Sequence, residues 1–408
     1  MSNSTRYPKA IEAFKEEAKL ESTANSGKSL LEKKWVSVVR LQKRVMELEA
    51  KLASSSTVFD SKAGGGGSGA PADMGRLLPK APCKTALNGH REPVTCVAMH
   101  PNYSICASGS EDTTIRVWDF ESGQYERTLK GHTGPVTGVA FEPNNGNLLA
   151  SCSSDMTAKL WDMSSGGQYS CTKTLRGHDH SISGVAFAVP SCDYLLTCSR
   201  DQTIKYWEVS TGYCNKTFAG HSDWVKCISV SLDGEWVASG SSDQTIMVHK
   251  ISNGAAVQTL RGHEHVVESV CFGKKPIMAM VDASLAAAAG APAPEDNHPY
   301  SYLVSGSRDK TVRLWDVLRG ECLCVFNVHT NWVRSVAFNS SGKYIISCSD
   351  DRSIKVCDIK ESRCVRSLDD AHSHFATCLA VPPPTSASSY RIILSGSVDK
   401  SVHVWGCS

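Results

Sequence analysis

The sequence predicts an all-β fold, a seven-bladed propeller of four-stranded blades, preceded by a short α-helical coiled-coil segment. Three observations carry this prediction. First, one residue pattern recurs seven times between about residue 83 and the C-terminus, at intervals of 42 to 46 residues with one longer exception. Second, each copy holds a His early and an Asp later: His90/Asp112, His132/Asp155, His178/Asp201, His221/Asp243, His263/Asp309, His329/Asp351 and His372/Asp399. Six residues beyond each Asp stand Trp118, Trp161, Trp207, His249, Trp315, Cys357 and Trp405. Third, within each copy short β-rich runs alternate with turns, as in VTCVAMH, SICASGS, TIRVWDF and YERTLKG of the first. A fixed period of this length with four strand signals per copy is the signature of propeller blades.

Taken in order, residues 1–29 are polar and partly helical in pattern, and residues 30–52 form a heptad seam. Leu31, Val38, Val45 and Leu52 recur every seven residues, Leu41 and Leu48 fill the alternating position, and Lys34 interrupts it once. This predicts a short coiled coil. Residues 53–82 are rich in Ser, Gly, Ala and Pro and include GGGGSG, which cannot pack and reads as a flexible tether. Residues 83–408 are the propeller. The run Lys84–Leu87 resembles the later outer strands, whereas the last copy ends at Trp405 without one, so the first run is expected to complete the last blade and close the ring. The fifth His-to-Asp interval spans 46 residues against 22 or 23 in five others. Its insertion, about 273–300, carries AAAAGAPAP, where Gly and Pro argue for a tolerated surface loop.

Composition narrows the function classes. A formal net charge of +2 over 408 residues gives no global bias toward nucleic acid, and no apolar run is long enough to span a bilayer. The 17 Cys include no C-x-x-C pair, so neither a metal nor another cofactor is expected. Cys96, Cys227 and Cys378 recur six residues after a repeat His, and Cys152, Cys198 and Cys348 recur three before a repeat Asp. These read as small buried hydrophobes in a reducing, cytosolic compartment.

Each copy also places Ser or Thr four residues before its Asp: Ser108, Ser151, Thr197, Ser239, Ser305, Ser347 and Ser395. Ser, His and Asp together suggest a hydrolase triad. A catalytic site is needed once, however, and this set occurs seven times. It therefore reads as a buried network in which Asp accepts from His, His bonds the hydroxyl, and the hydroxyl meets the indole N–H. His90, Ser108, Asp112 and Trp118, His132, Ser151, Asp155 and Trp161, and His178, Thr197, Asp201 and Trp207 are complete sets that resemble the structural tetrad of WD-repeat propellers. The fourth and sixth blades, with His249 and Cys357 in place of Trp, are expected to bond more loosely.

Function must then come from what varies between blades. The residue before each Asp, and the third and fifth after each His, are expected on one face of the disc. In the first two blades these are Glu111, Pro93, Thr95, Ser154, Pro135 and Thr137, and in later blades Arg200, Trp224, Lys226, Arg308, Trp332, Arg334 and Phe375. Lys310, Arg352 and Lys400 directly follow a repeat Asp. An arc rich in Arg and aromatics is interface chemistry. Glu268 and Asp350 make it mixed in sign, which favours an acidic protein surface over nucleic acid.

The segment LLEKKWVSVVRLQKRVMELEAKL, the tether, the insertion, and the stretches GHDHSISGVA, TGYCNKTF and LSGSVDKSVHVW together resemble the lissencephaly-1 family of dynein regulators. The resemblance implies a non-enzymatic adaptor that binds the cytoplasmic dynein motor domain and a NudE-type coiled-coil protein. In some organisms it also implies the catalytic subunits of platelet-activating-factor acetylhydrolase. It implies a cytoplasmic location at microtubules, centrosome or spindle pole, and motor-contacting roles for Arg200, Lys226, Arg308, Trp332 and Arg352. The family begins with LisH, a two-helix dimerisation unit. AIEAFKEEAKLE at 10–21 is similar to its second helix, and Pro8 does not suit a helix interior, so 1–29 is a partial LisH-like region. A homodimer would then rest either on the coiled coil or on a first LisH helix encoded upstream of Met1.

Overall fold

The computed structural model describes residues 78–164, 169–273, 302–382 and 391–407. Within them, 28 strands form seven antiparallel four-stranded sheets. The first blade sets the plan: β2 (Val94–Met99), β3 (Ile105–Ser110), β4 (Ile115–Asp119) and β5 (Gln124–Leu129), paired in that order. Burial falls from the inside outward, with five of the six β3 residues buried and four of the six β5 residues exposed. Each inner strand meets those of the two neighbouring blades, and the seventh, β26 (Ala376–Ala380), meets β2. The ring is thus closed by packing, and among the described residues no helix is long and apolar enough to cross a membrane.

Closure follows the expected route. β1 (Thr85–Asn88) adds to β28 (Ser401–Gly406), with Thr85 opposite Val404 and Asn88 opposite Ser401. Leu87 is buried there, so chain start and chain end share one blade. The disc begins earlier than the sequence suggested. Leu78 is buried with Tyr344, Ile346 and Trp405, and Pro79 bridges Cys407, so the stretch read as tether to residue 82 is docked from Leu78 onward. An apolar Leu-Leu step followed by Pro has a hydrophobic slot to fill, which a composition reading of Ser, Gly, Ala and Pro does not register. The partial LisH-like region, the seam Leu31, Val38, Leu41, Val45, Leu48 and Leu52, and nearly all of the 273–300 insertion lie outside the described residues.

The turn between the second and third strands of every blade positions the face. Its Asp accepts the backbone N–H of the residue after the repeat His at one oxygen, and the N–H two residues onward at the other, as with Arg91 and Thr114 on Asp112. The residue after the Asp is left-handed in all seven blades, with φ between 64° and 72° at Thr113, Met156, Gln202, Gln244, Lys310, Arg352 and Lys400. For a non-glycine residue this backbone costs energy, and the turn's side-chain bonds hold it.

Candidate functional interface

The sevenfold polar set is buried scaffold. His Nδ1 lies 2.6–3.0 Å from the Asp carboxylate in all seven blades. Nε2 lies 2.6–2.8 Å from the Ser or Thr hydroxyl. In five blades the indole N–H reaches the same hydroxyl at 2.7–2.8 Å. In these five blades the indole N–H donates to the hydroxyl, and the bonding is self-consistent when the hydroxyl donates to Nε2 and the Nδ1–H donates to the carboxylate. All seven hydroxyls are fully buried, so none is presented to a substrate. Burial pushes the Asp112 and Asp155 carboxyls up, but bonds from Thr114 and His90, and from Thr157, the Thr133 N–H and His132, outweigh it and hold both at about 2.

The two blades without Trp keep the His–Asp and His–Ser bonds at 2.8 Å and lose only the indole donor. The expected loosening is confined to that one bond. In blade four the cost falls on His249, whose buried ring nitrogens have no hydrogen-bond partner of normal geometry; burial and His221 lower its pKa, against a contribution from the Ala219 backbone that raises it.

The variable positions assemble into stacked groups on one face. The Arg308 guanidinium lies 4.5 Å from the Trp332 ring centre and that of Arg334 lies 5.0 Å from it. Arg200 sits 4.7 Å from the Trp224 ring, with the Lys226 ammonium at 5.7 Å. In both groups an Arg ahead of one blade's Asp covers the aromatic of the next blade. Cation–π stacking with a half-exposed indole keeps an apolar ring and a charged rim facing solvent. A shallow depression lined by Asp223, Trp224, Lys226, Ser242, Val266 and Arg308 joins the groups.

Acids hold the cations in place. Arg308 Nε bonds Glu268, Arg334 forks onto Asp350 with two contacts of 2.8 Å, and Glu268 lies 3.8 Å from Arg334. Lys226 stands among them with its pKa drawn below the ordinary lysine value, chiefly by burial; Glu268 opposes this and Arg308, Arg200 and Arg334 add to it.

Of the five residues singled out, the structure brings Arg200, Lys226, Arg308 and Trp332 together. Arg352 is held at the next boundary, where its half-exposed guanidinium pairs with Asp370 at 2.9 Å. Sequence reasoning underweighted Trp224, which is 40% exposed and anchors the second stack. It missed His180 and His265, whose rings lie 6.3 and 6.4 Å from Trp224 and Trp332 across the blade boundaries. A register that paired each blade with its successor would have found them.

Fold, tetrads and face define a WD-repeat propeller, and the family model for the WD domain, G-beta repeat, matches residues 81–119, 123–162, 169–208, 212–250, 294–316, 320–358 and 362–406. Over most of its length the chain is similar to three nuclear distribution proteins. One is PAC1 of Tuber melanosporum (strain Mel28), 50% identical over 89% of this chain and 80% of that protein. PAC1 of Coccidioides posadasii (strain C735) is 45% identical over 89% and 78%, and PAC1 of Gibberella zeae 43% identical over 89% and 80%. The chain belongs to this PAC1-type branch of the lissencephaly-1 family of WD-repeat proteins.

Proposed function

We propose that the chain is a non-enzymatic adaptor that binds and regulates the cytoplasmic dynein motor through the face bearing Arg200, Trp224, Lys226, Arg308 and Trp332. The names of its relatives, nuclear distribution proteins, support a role in positioning nuclei by microtubule-based transport. The observation that carries the site is the pair of Arg-on-Trp stacks around the half-buried Lys226. Rigid aromatic anchors flanked by bound cations suit an acidic protein surface, because the rings supply desolvated area and the cations supply register. Sequence resemblance adds a NudE-type coiled-coil partner, a homodimer through residues 30–52, and a cytoplasmic site of action on microtubules and at the centrosome or spindle pole. The buried hydroxyls support a role without intrinsic catalysis.

The test is binding of purified chain to a dynein motor domain. Trp332→Ala and Arg308→Ala are each expected to weaken binding by about 2 kcal/mol, roughly 30-fold, as truncations at the centre of an interface do. Thermal midpoints should stay near that of the parent. Unchanged affinity in both variants overturns the site. Co-purification of a serine hydrolase that masks the face, with no motor binding, would instead mark an acetylhydrolase subunit, and capture of neither would leave a general WD-repeat scaffold.

A further inference from the structure

Four outer strands carry an exposed Cys opposite the tetrad's indole position. Cys171 pairs with Trp161, Cys214 with Trp207 and Cys322 with Trp315. In blade six the outer strand β25 (Arg363–Leu368) places Cys364 at the same point, but β24 (Ile354–Asp358) offers Cys357 where the others offer Trp. Two thiols therefore face each other as direct cross-strand partners, Cys357 fully buried and Cys364 exposed. Opposed Cα atoms in an antiparallel pair are about 4.5–5.5 Å apart, within the range a disulfide spans. A bulge between Val356 and Cys357 marks the place.

We propose that Cys364 and Cys357 form a thiol modification site, in which a hydroperoxide such as hydrogen peroxide oxidises the exposed thiol and the buried one resolves it as a disulfide. The Cys364 thiolate attacks a peroxide oxygen; a sulfur–oxygen bond forms, the oxygen–oxygen bond breaks, and the departing hydroxide takes the thiol's proton to leave as water. The Cys357 sulfur then attacks the sulfenic sulfur of Cys364. The sulfur–sulfur bond forms, the sulfur–oxygen bond breaks, and a second water leaves with the Cys357 proton. Two thiols lose two electrons and the peroxide gains them. The local chemistry favours this order: the bond to Cys357 draws the Cys364 thiol below the ordinary thiol range, with Lys355 adding to the pull against partial burial. Its partner is held protonated by that same bond, and by burial, until attack. The cross-link ties the rim strand to its neighbour in a blade that lacks the indole.

The full chain is treated with hydrogen peroxide, quenched, alkylated and digested with trypsin, which cleaves at Lys360 and Arg363 and separates the two cysteines. The expected result is one cross-linked peptide pair holding Cys357 and Cys364, reversed by dithiothreitol, with loss of Cys364 alkylation. Cys171 and Cys214 should form no cross-link. In Cys357→Trp, Cys364 should stop at the sulfenic acid and be trapped by dimedone, and in Cys364→Ser, Cys357 should stay reduced. Persistent alkylation of both thiols in the treated parent protein overturns the proposal whatever the variants do. So does a pairing of Cys357 with Cys324, its partly buried neighbour on the adjoining blade.

Discussion

At the scale of single residues, burial of three tetrad imidazoles and bonding of all seven tetrad carboxylates tie stability to pH. For His90, His132 and His263 burial lowers the pKa, and the bonds to Asp112, Asp155 and Asp309 only partly offset it. Unfolding releases these rings into water, where they take up a proton near pH 6.5. A folded-state pKa below the unfolded value stabilises the fold above that pH, and the contribution is lost as pH falls. The carboxylates act in the same direction at lower pH. Asp112 and Asp155 sit at about 2 in the fold, and Asp201, Asp243, Asp309, Asp351 and Asp399 are also held well below the usual carboxylate range. Their contribution is present above about pH 4 and disappears as pH falls toward 2. The thermal midpoint should therefore fall in two stages. The first is on the order of 5 °C between pH 7 and 5, and a steeper loss follows below pH 4. A midpoint flat from pH 7 to 5 would show that the histidines contribute nothing to this dependence.

At the scale of strands, packing explains why cysteine recurs. The residue six after each His faces the residue three before each Asp across the first two strands. The pairs are Cys96–Gly109, Gly138–Cys152, Gly184–Cys198, Cys227–Gly240, Ser269–Gly306, Ser335–Cys348 and Cys378–Gly396. A Cβ on Gly109 would come within 2.6 Å of the Cys96 sulfur and of Val136 in the next blade, so space is short there; six of the seven pairs contain a Gly, and the seventh sets the small Ser335 against Cys348. Burial pushes the Cys152 and Cys227 thiols up to about 12, which makes them inert filler. The two spacings were visible in the sequence as separate runs of Cys; that they are one steric pair becomes visible only in the register. The closing strand has a matching consequence. Removing residues 1–88 strips β1 and Leu78 from the last blade, exposing the edge of β28 and the slots of Leu78 and Leu87. The expected cost is about 3–5 kcal/mol of unfolding free energy with concentration-dependent aggregation, read by denaturant titration and light scattering. A shortened chain as stable and monodisperse as one starting at residue 78 would refute the closure role.

At the scale of the molecule, one face of a rigid disc carries the proposed function, and the proposed seam at 30–52 sets how many discs act together. Two discs joined through that seam would make the second contact intramolecular, so a dimer should bind a two-site target about 100-fold more tightly than an isolated disc. Light scattering should give the full chain twice its monomer mass, and a chain starting at residue 78 the mass of a monomer. Monomers in both cases would remove the avidity argument and leave the face to act alone.

The sequence by itself determined the number of blades, the four-strand plan, the closing strand and the scaffold character of the Ser-His-Asp sets. A strict period and fixed spacings encode those locally, and repetition seven times separates rule from exception. It also grouped the variable positions on one face, because alternation along a strand dictates which side chains share it. Only the tertiary structure decided how the face is wired. Arg308 reaches Trp332 and Arg200 reaches Trp224 across blade boundaries, Glu268 and Asp350 anchor the cations, and Arg352 stands with Asp370 apart from the stacks. Cys357 and Cys364 are likewise seven positions apart in the chain and opposite each other in the sheet. Neighbourhood between blades depends on how the ring curves and where each bulge falls. Those are properties of the closed disc, which the pattern within a single repeat does not contain.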